Sequence, residues 1–155
     1  MKSLRVIRAK PNPTGKDRTG SYIRPAQLAA EWVDFQNDGD VAFPLEPITL
    51  YHLAFQDGCR DPKWEKVMSF TGTLQPRKIV RVHSGEKLEL HEMYQEDLLG
   101  ADHHCFTGRR AYIWNNDCGD VAGLYDGSTF EDKAGYDPHP PEGLVLRRVG
   151  DKLVP

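Results

Sequence analysis

The sequence predicts an all-β fold, a β-sandwich carrying one short helical insertion. Two matched stretches carry that reading, Glu31-Trp32-Val33-Asp34-Phe35-Gln36-Asn37-Asp38-Gly39-Asp40 and Tyr112-Ile113-Trp114-Asn115-Asn116-Asp117-Cys118-Gly119-Asp120-Val121. Each joins a run of bulky β-formers to an Asn/Asp/Gly turn that tolerates left-handed backbone. The third observation is spacing: about eight strand candidates recur with turn signals between them, as in sandwiches, although periodicity alone also admits a barrel.

Taken in order, Leu4 to Ala9 alternates apolar and charged residues and reads as a first or edge strand, stopped by Pro11-Asn12-Pro13-Thr14-Gly15. The polar run from Thr14 to Ser21 reads as a mobile loop, and Pro25 to Ala30 as one helical turn. Trp32 to Gln36 alternates as a half-buried strand does. Ile48 to Phe55 is apolar on both faces, which suits a central strand. After the Gln56-Asp57-Gly58 turn come strands at Val67 to Phe70 and Ile79 to His83, with the Leu74-Gln75-Pro76-Arg77 corner reversing the chain. From Glu86 to Leu99 the period changes. Leu90, Met93/Tyr94 and Asp97/Leu98 fall at helical spacing, with Ser84 placed as N-cap and Gly100 as C-cap. Strands resume at Ala111 to Trp114, Val121 to Tyr125, Ser128 to Lys133 and Leu144 to Arg148. No compositional break divides the chain, so residues 1–155 read as one domain.

Composition narrows the functional classes. At 155 residues, 39% hydrophobic and 28% charged, the chain suffices for a single core. A net charge of −3 supplies no global positive field for nucleic acid. Met1 to Arg8 alternates apolar and charged residues, which argues against a secretory signal or a membrane-spanning helix. Cys59, Cys105 and Cys118 are odd in number and lack CxxC spacing. No disulfide framework is expected, and a reducing, cytoplasmic setting is the default.

The two turns read as structural. Asn37, Gly39 and Asp40 close the first, and Trp114, Asn115, Asn116, Gly119 and Asp120 form the second, with Gly39 and Gly119 free to take positive φ and Asp120 holding its turn closed. Clustered oxygens of Asp38, Asp40, Asn116, Asp117 and Asp120 also invite calcium, but no EF-hand pattern is present and turn chemistry is the preferred reading. A zinc or hydrolytic alternative rests on His103, His104 and Cys105 with Asp120; adjacent histidines rarely converge on one tetrahedral ion. His91-Glu92-Met93-Tyr94-Gln95 misses HExxH because Gln95 stands where the second histidine belongs. No G-x-S-x-G, Walker A or G-x-G-x-x-G signature occurs, and no cofactor is expected. Arg77, Lys78, Arg81, Arg109 and Arg110 read as charged edge residues that prevent sheet aggregation, or else as a nucleic-acid surface. Trp64, set among Asp61-Pro62-Lys63, reads as an exposed anchor in a loop.

Several of these segments together resemble the lamin tail domain family. Glu31 to Leu50 is similar to its opening strand, turn and apolar strand, and Phe70 to Val82 to its Phe, Leu-x-Pro and following strand. Trp114 to Asp126 resembles its most distinctive segment, and Gly135-Tyr136 with Leu146-Arg147-Arg148 its closing strands. The resemblance implies an immunoglobulin-like sandwich that serves as a noncatalytic protein-interaction or structural module, with a protein partner or self-association and no membrane. The chain departs from filament-forming lamins in having no coiled-coil rod, and the Glu86 to Leu99 insertion suggests a stand-alone prokaryotic-type relative.

Overall fold

A computed structural model of the chain describes residues 1–18 and 22–155. The strands are β1 (Leu4–Lys10), β2 (Trp32–Asn37), β3 (Phe43–Pro44), β4 (Thr49–Gln56), β5 (Arg60–Ser69), β6 (Thr73–Leu74), β7 (Ile79–His83), β8 (His103–Phe106), β9 (Asp120–Tyr125), β10 (Phe130–Tyr136), β11 (Leu146–Val149) and β12 (Lys152–Val154), with one short helix, α1 (Pro25–Ala29), before β2. The all-β class follows directly. Ten strands form one sheet in the order β5-β4-β9-β10-β12-β11-β1-β2-β7-β8, and β3 pairs with β6 alone. Neighbours are antiparallel except β10 with β12 and β7 with β8.

The sheet curls and brings residues near its two ends into contact. Phe35 on β2 meets Phe70, just beyond β5, edge-on with ring centroids 5.1 Å apart, although their strands lie near opposite ends of the sheet. One apolar cluster fills the interior, including Val6, Val33, Phe35, Ile48, Leu50, Val80, Leu124 and Leu146. Alternation puts these residues there, and burial of each such side chain contributes roughly 1.5–3 kcal/mol.

Four sequence expectations are corrected. Residues 86–99 form no α-helix but two 3-10 turns, Leu90–Glu92 and Gln95–Asp97. The intended N-cap, Ser84, donates its hydroxyl to Glu31, Met93 between the turns is extended, and Leu90 and Leu99 point to solvent. What fixes this segment is polar: Arg81 donates to the carbonyls of Asp97 and Leu99, Arg8 donates to that of Gly100, and Lys10 and Trp32 Nε1 donate to the Asp97 carboxylate. Ala111 to Trp114 is not a strand, because the amides of Ile113 and Trp114 turn to Glu31 instead. Cys59 and Cys118 form a disulfide that ties the β4–β5 turn to the loop before β9. Spacing could not reveal this pair, since 59 residues separate its members. Finally, the stretch expected as a loop over Thr14 to Ser21 forms a 3-10 turn at Lys16–Arg18, with the Lys16 side chain 8% exposed and bonded to Glu31, while residues 19–21 lie outside the described residues.

Candidate functional site

The two terminal strands of the sheet, β5 and β8, each have a strand partner on one side only. Over its first seven residues β5 is exposed and bears Arg60, Asp61, Pro62, Lys63, Glu65 and Lys66. Such charges, and a proline that withholds an amide, keep an edge from pairing indiscriminately. From Val67 onward the strand becomes apolar and turns inward, with Val67 and Phe70 buried. Opposite it runs β8. Between these edges lies a cleft of about 280 Å³ lined by Met68, Phe70, Leu74, Val80, His103 and Cys105. At one end Arg109, just past β8, donates to the Lys66 carbonyl and pairs with Glu65 at 3.5 Å, so one side chain bridges the seam.

Period-2 alternation sorts the side chains of β8. His103 and Cys105 line the cleft, while His104 joins His83 on β7, with His83 Nε2 2.8 Å from His104 Nδ1 and the rings stacked. His83 Nδ1 bonds the Ala29 carbonyl at 2.7 Å, so it carries the proton and Nε2 accepts from His104. Burial pulls the His83 pKa down to about 3 and also lowers that of His104, where Arg81 adds to the effect. Burial raises the Cys105 thiol, which makes it a poor nucleophile at neutral pH.

The metal alternative is not assembled. His104 faces away from His103 and Cys105, and Asp120 is engaged elsewhere. Among the described residues no group of three or more His, Cys, Asp or Glu side chains is arranged to hold a metal ion. Asp120 closes its turn by accepting from the amides of Leu53, Asn115 and Val121 and by bonding His52 Nδ1 at 2.9 Å. His52 Nε2 lies 3.2 Å from Glu65; burial alone would lower its pKa, but Asp120 and Glu65 outweigh burial and hold it above the ordinary value. Among the described residues His52 is bonded to Asp120 and Glu65, an arrangement that locks the turn. Asn115 donates to the Leu53 carbonyl, and Trp114 packs edge-on against His52. Gly119 takes φ +69, and a Cβ there would sit 2.5 Å from the Tyr136 carbonyl.

In the first turn, Asn37 is buried, donates to the carbonyls of Val41 and Leu74, and accepts from Gly39. Gly39 does not need positive φ; it is glycine because the backbone of Met1 and Ser3 passes where a Cβ would stand. Asp40 is exposed and accepts from the amine of Met1.

Each of the basic residues has an acidic or carbonyl partner of its own. Lys78 pairs with Asp102 at 3.8 Å, Arg109 with Glu65 and Arg110 with Glu86 at 2.9 Å, while Arg77 donates to the Asp38 carbonyl. Arg81 is a correction: it is 2% exposed, clamps the buried Asp34 through two bonds of 2.7 and 2.8 Å, and lies 3.6 Å over the Trp32 ring. Trp64 is also corrected in its setting, since it stands on β5, packs against Phe130 and is 41% exposed. Sequence reasoning missed Met68, Leu74 and Val80 as lining the cleft and His52, His83, Lys16 and Glu31 as members of buried hydrogen-bond clusters. The one readable signal was the change within β5 from charged to apolar residues at Val67.

No protein-family model and no curated protein matches this chain. No helix among the described residues is long and apolar enough to cross a membrane.

Proposed function

We propose that the protein is a noncatalytic interaction module of the lamin tail domain type, which receives an extended segment of a protein partner along the seam between β5 and β8. The observation that carries this reading is an apolar cleft between two strands that each have one unpaired side. An added strand satisfies backbone groups on such edges, and apolar pockets between them select its side chains. At about 280 Å³ the cleft is below the roughly 300–1,000 Å³ usual for small-molecule sites, and it suits one or two apolar side chains. The charged half of β5 and the Arg109 bridge confine docking to the stretch from Lys66 to Ser69. The disulfide bears on location, because such bonds persist in oxidising compartments. A module working in an oxidising setting fits it better than the cytoplasmic one that the cysteine count suggested.

The test is a display library of extended peptides, selected on the folded protein and repeated on Cys105→Trp, which fills the cleft. The reading predicts peptides with apolar residues at alternate positions that bind the wild type at least tenfold more tightly than the variant and protect Cys105 from alkylation. Peptides that bind both proteins equally, or no peptide at all, would contradict it.

A further inference from the structure

Lys16, Glu31 and Asn116 come from three separate parts of the chain and meet at one buried point. Lys16 Nζ lies 2.6 Å from Glu31 Oε2 and 3.4 Å from Asn116 Oδ1. The carbonyls of Pro11 at 2.8 Å and Trp114 at 2.6 Å complete its cage, with the Tyr112 ring centroid 5.0 Å away. The side chains of Lys16 and Glu31 are 8% and 0% exposed. Asn116 Nδ2 is buried and has no hydrogen-bond partner among the described residues. An amine, a carboxamide and a carboxyl group are thus held together with little access to water, and no described residue retains the amide nitrogen.

We infer that Lys16 and Asn116 join in an intramolecular isopeptide bond, with Glu31 as the proton carrier. In the resting pair the Lys16 ammonium donates to the Glu31 carboxylate. The Pro11 and Trp114 carbonyls favour that state while they fix the amine in place, so the reaction draws on a minor, uncharged pair. Transfer of one proton from Lys16 to Glu31 makes that pair, and exclusion of water favours it, consistent with the upward push that burial gives the Glu31 carboxyl. The free amine attacks Cγ of Asn116, a carbon–nitrogen bond forms, and the carbonyl electron pair moves to Oδ1. As the carbonyl re-forms, the Cγ–Nδ2 bond breaks, and Glu31 relays a proton from the attacking nitrogen to the departing one. Lys16 ammonium, Asn116 carboxamide and Glu31 carboxylate become a secondary amide, ammonia and Glu31 acid, with every proton accounted for and no oxidant needed. Fixed geometry supplies the driving advantage, since well-oriented intramolecular partners react as if at very high effective concentration. A cleft of about 390 Å³ bordered by Lys16, Tyr112, Trp114 and Asn116 gives ammonia a way out. The consequence is a second covalent tie to the loop that the Cys59–Cys118 bond already holds.

Intact mass spectrometry of the full chain, purified and then reduced, tests this. The expected mass is lower than that of the sequence by one ammonia, and fragmentation joins a Lys16 peptide to an Asn116 peptide. Glu31→Gln and Lys16→Arg restore the full mass, while Asn116→Asp, of nearly the same shape, loses one water instead; this last variant keeps the test decisive should the buried substitutions fail to fold. A wild-type chain at its full sequence mass overturns the inference. So does an ammonia loss confined to the Asn116-Asp117 peptide, which marks a succinimide.

Discussion

The Asp120–His52 bond shows how single side chains set both local geometry and titration. Asp120→Asn removes the charge that holds His52 above its ordinary pKa, and burial then dominates. An NMR titration of the ring protons should show the His52 pKa falling below the usual value; an unchanged value would mean that Glu65 governs it. His83 gives the opposite sign. Its folded pKa of about 3 lies below the unfolded value near 6.5, so between these limits the unfolded chain binds a proton that the folded chain refuses. The contribution to stability is complete above about pH 6.5 and is lost as pH falls toward 3. Urea unfolding across that window should show wild type losing up to about 1.4 kcal/mol per pH unit more than His83→Gln. Parallel slopes would contradict a neutral buried His83. Asp120 was legible in the sequence because an Asp beside its own turn acts locally. Glu31 was not, because its donors Lys16, Ser84, Ile113 and Trp114 are scattered over about a hundred positions and only folding gathers them.

At the level of elements, the same contrast separates strands from the 86–99 segment. The strands at Leu4 to Ala9, Trp32 to Gln36, Ile48 to Phe55 and Ile79 to His83 are read correctly as strands, although β1 lies inside the sheet and not at its edge, and β2 is buried on both faces instead of one. The helical spacing of Leu90, Met93 and Leu98 misleads, since a buried Asp34–Arg81 pair and the Lys10–Asp97 bond take the segment's carbonyls and carboxylate. Leu99→Gln should therefore change unfolding free energy by no more than about 0.5 kcal/mol. An amphipathic helix would lose more. The disulfide is an element-scale tie between the β4–β5 turn and the β9 approach. For its 59-residue separation, chain-entropy reasoning gives a stabilisation of about 4 kcal/mol, which unfolding with and without reductant measures directly.

For the whole molecule, the decisive property is that a ten-stranded sheet curls nearly closed and leaves one seam. The sequence holds the strands β1, β2, β4, β7 and β9, but it does not show β8, β12 or the charged first part of β5. It does not hold their order, because the parallel neighbours β7/β8 and β10/β12 join segments with no shared local signal. Nor could it show that Met68 and Cys105 face each other across a gap, since that contact exists only once both sheet ends have come round. Amide hydrogen exchange resolved along β5 and β8 tests the central claim most directly. If the seam is an open docking edge, amides in Lys66–Ser69 and His103–Phe106 that point away from β4 and β7 exchange quickly in the free protein and become protected when a selected peptide binds. Strong protection of both edges in the free protein, equal to that of β4 and β9, would contradict the account.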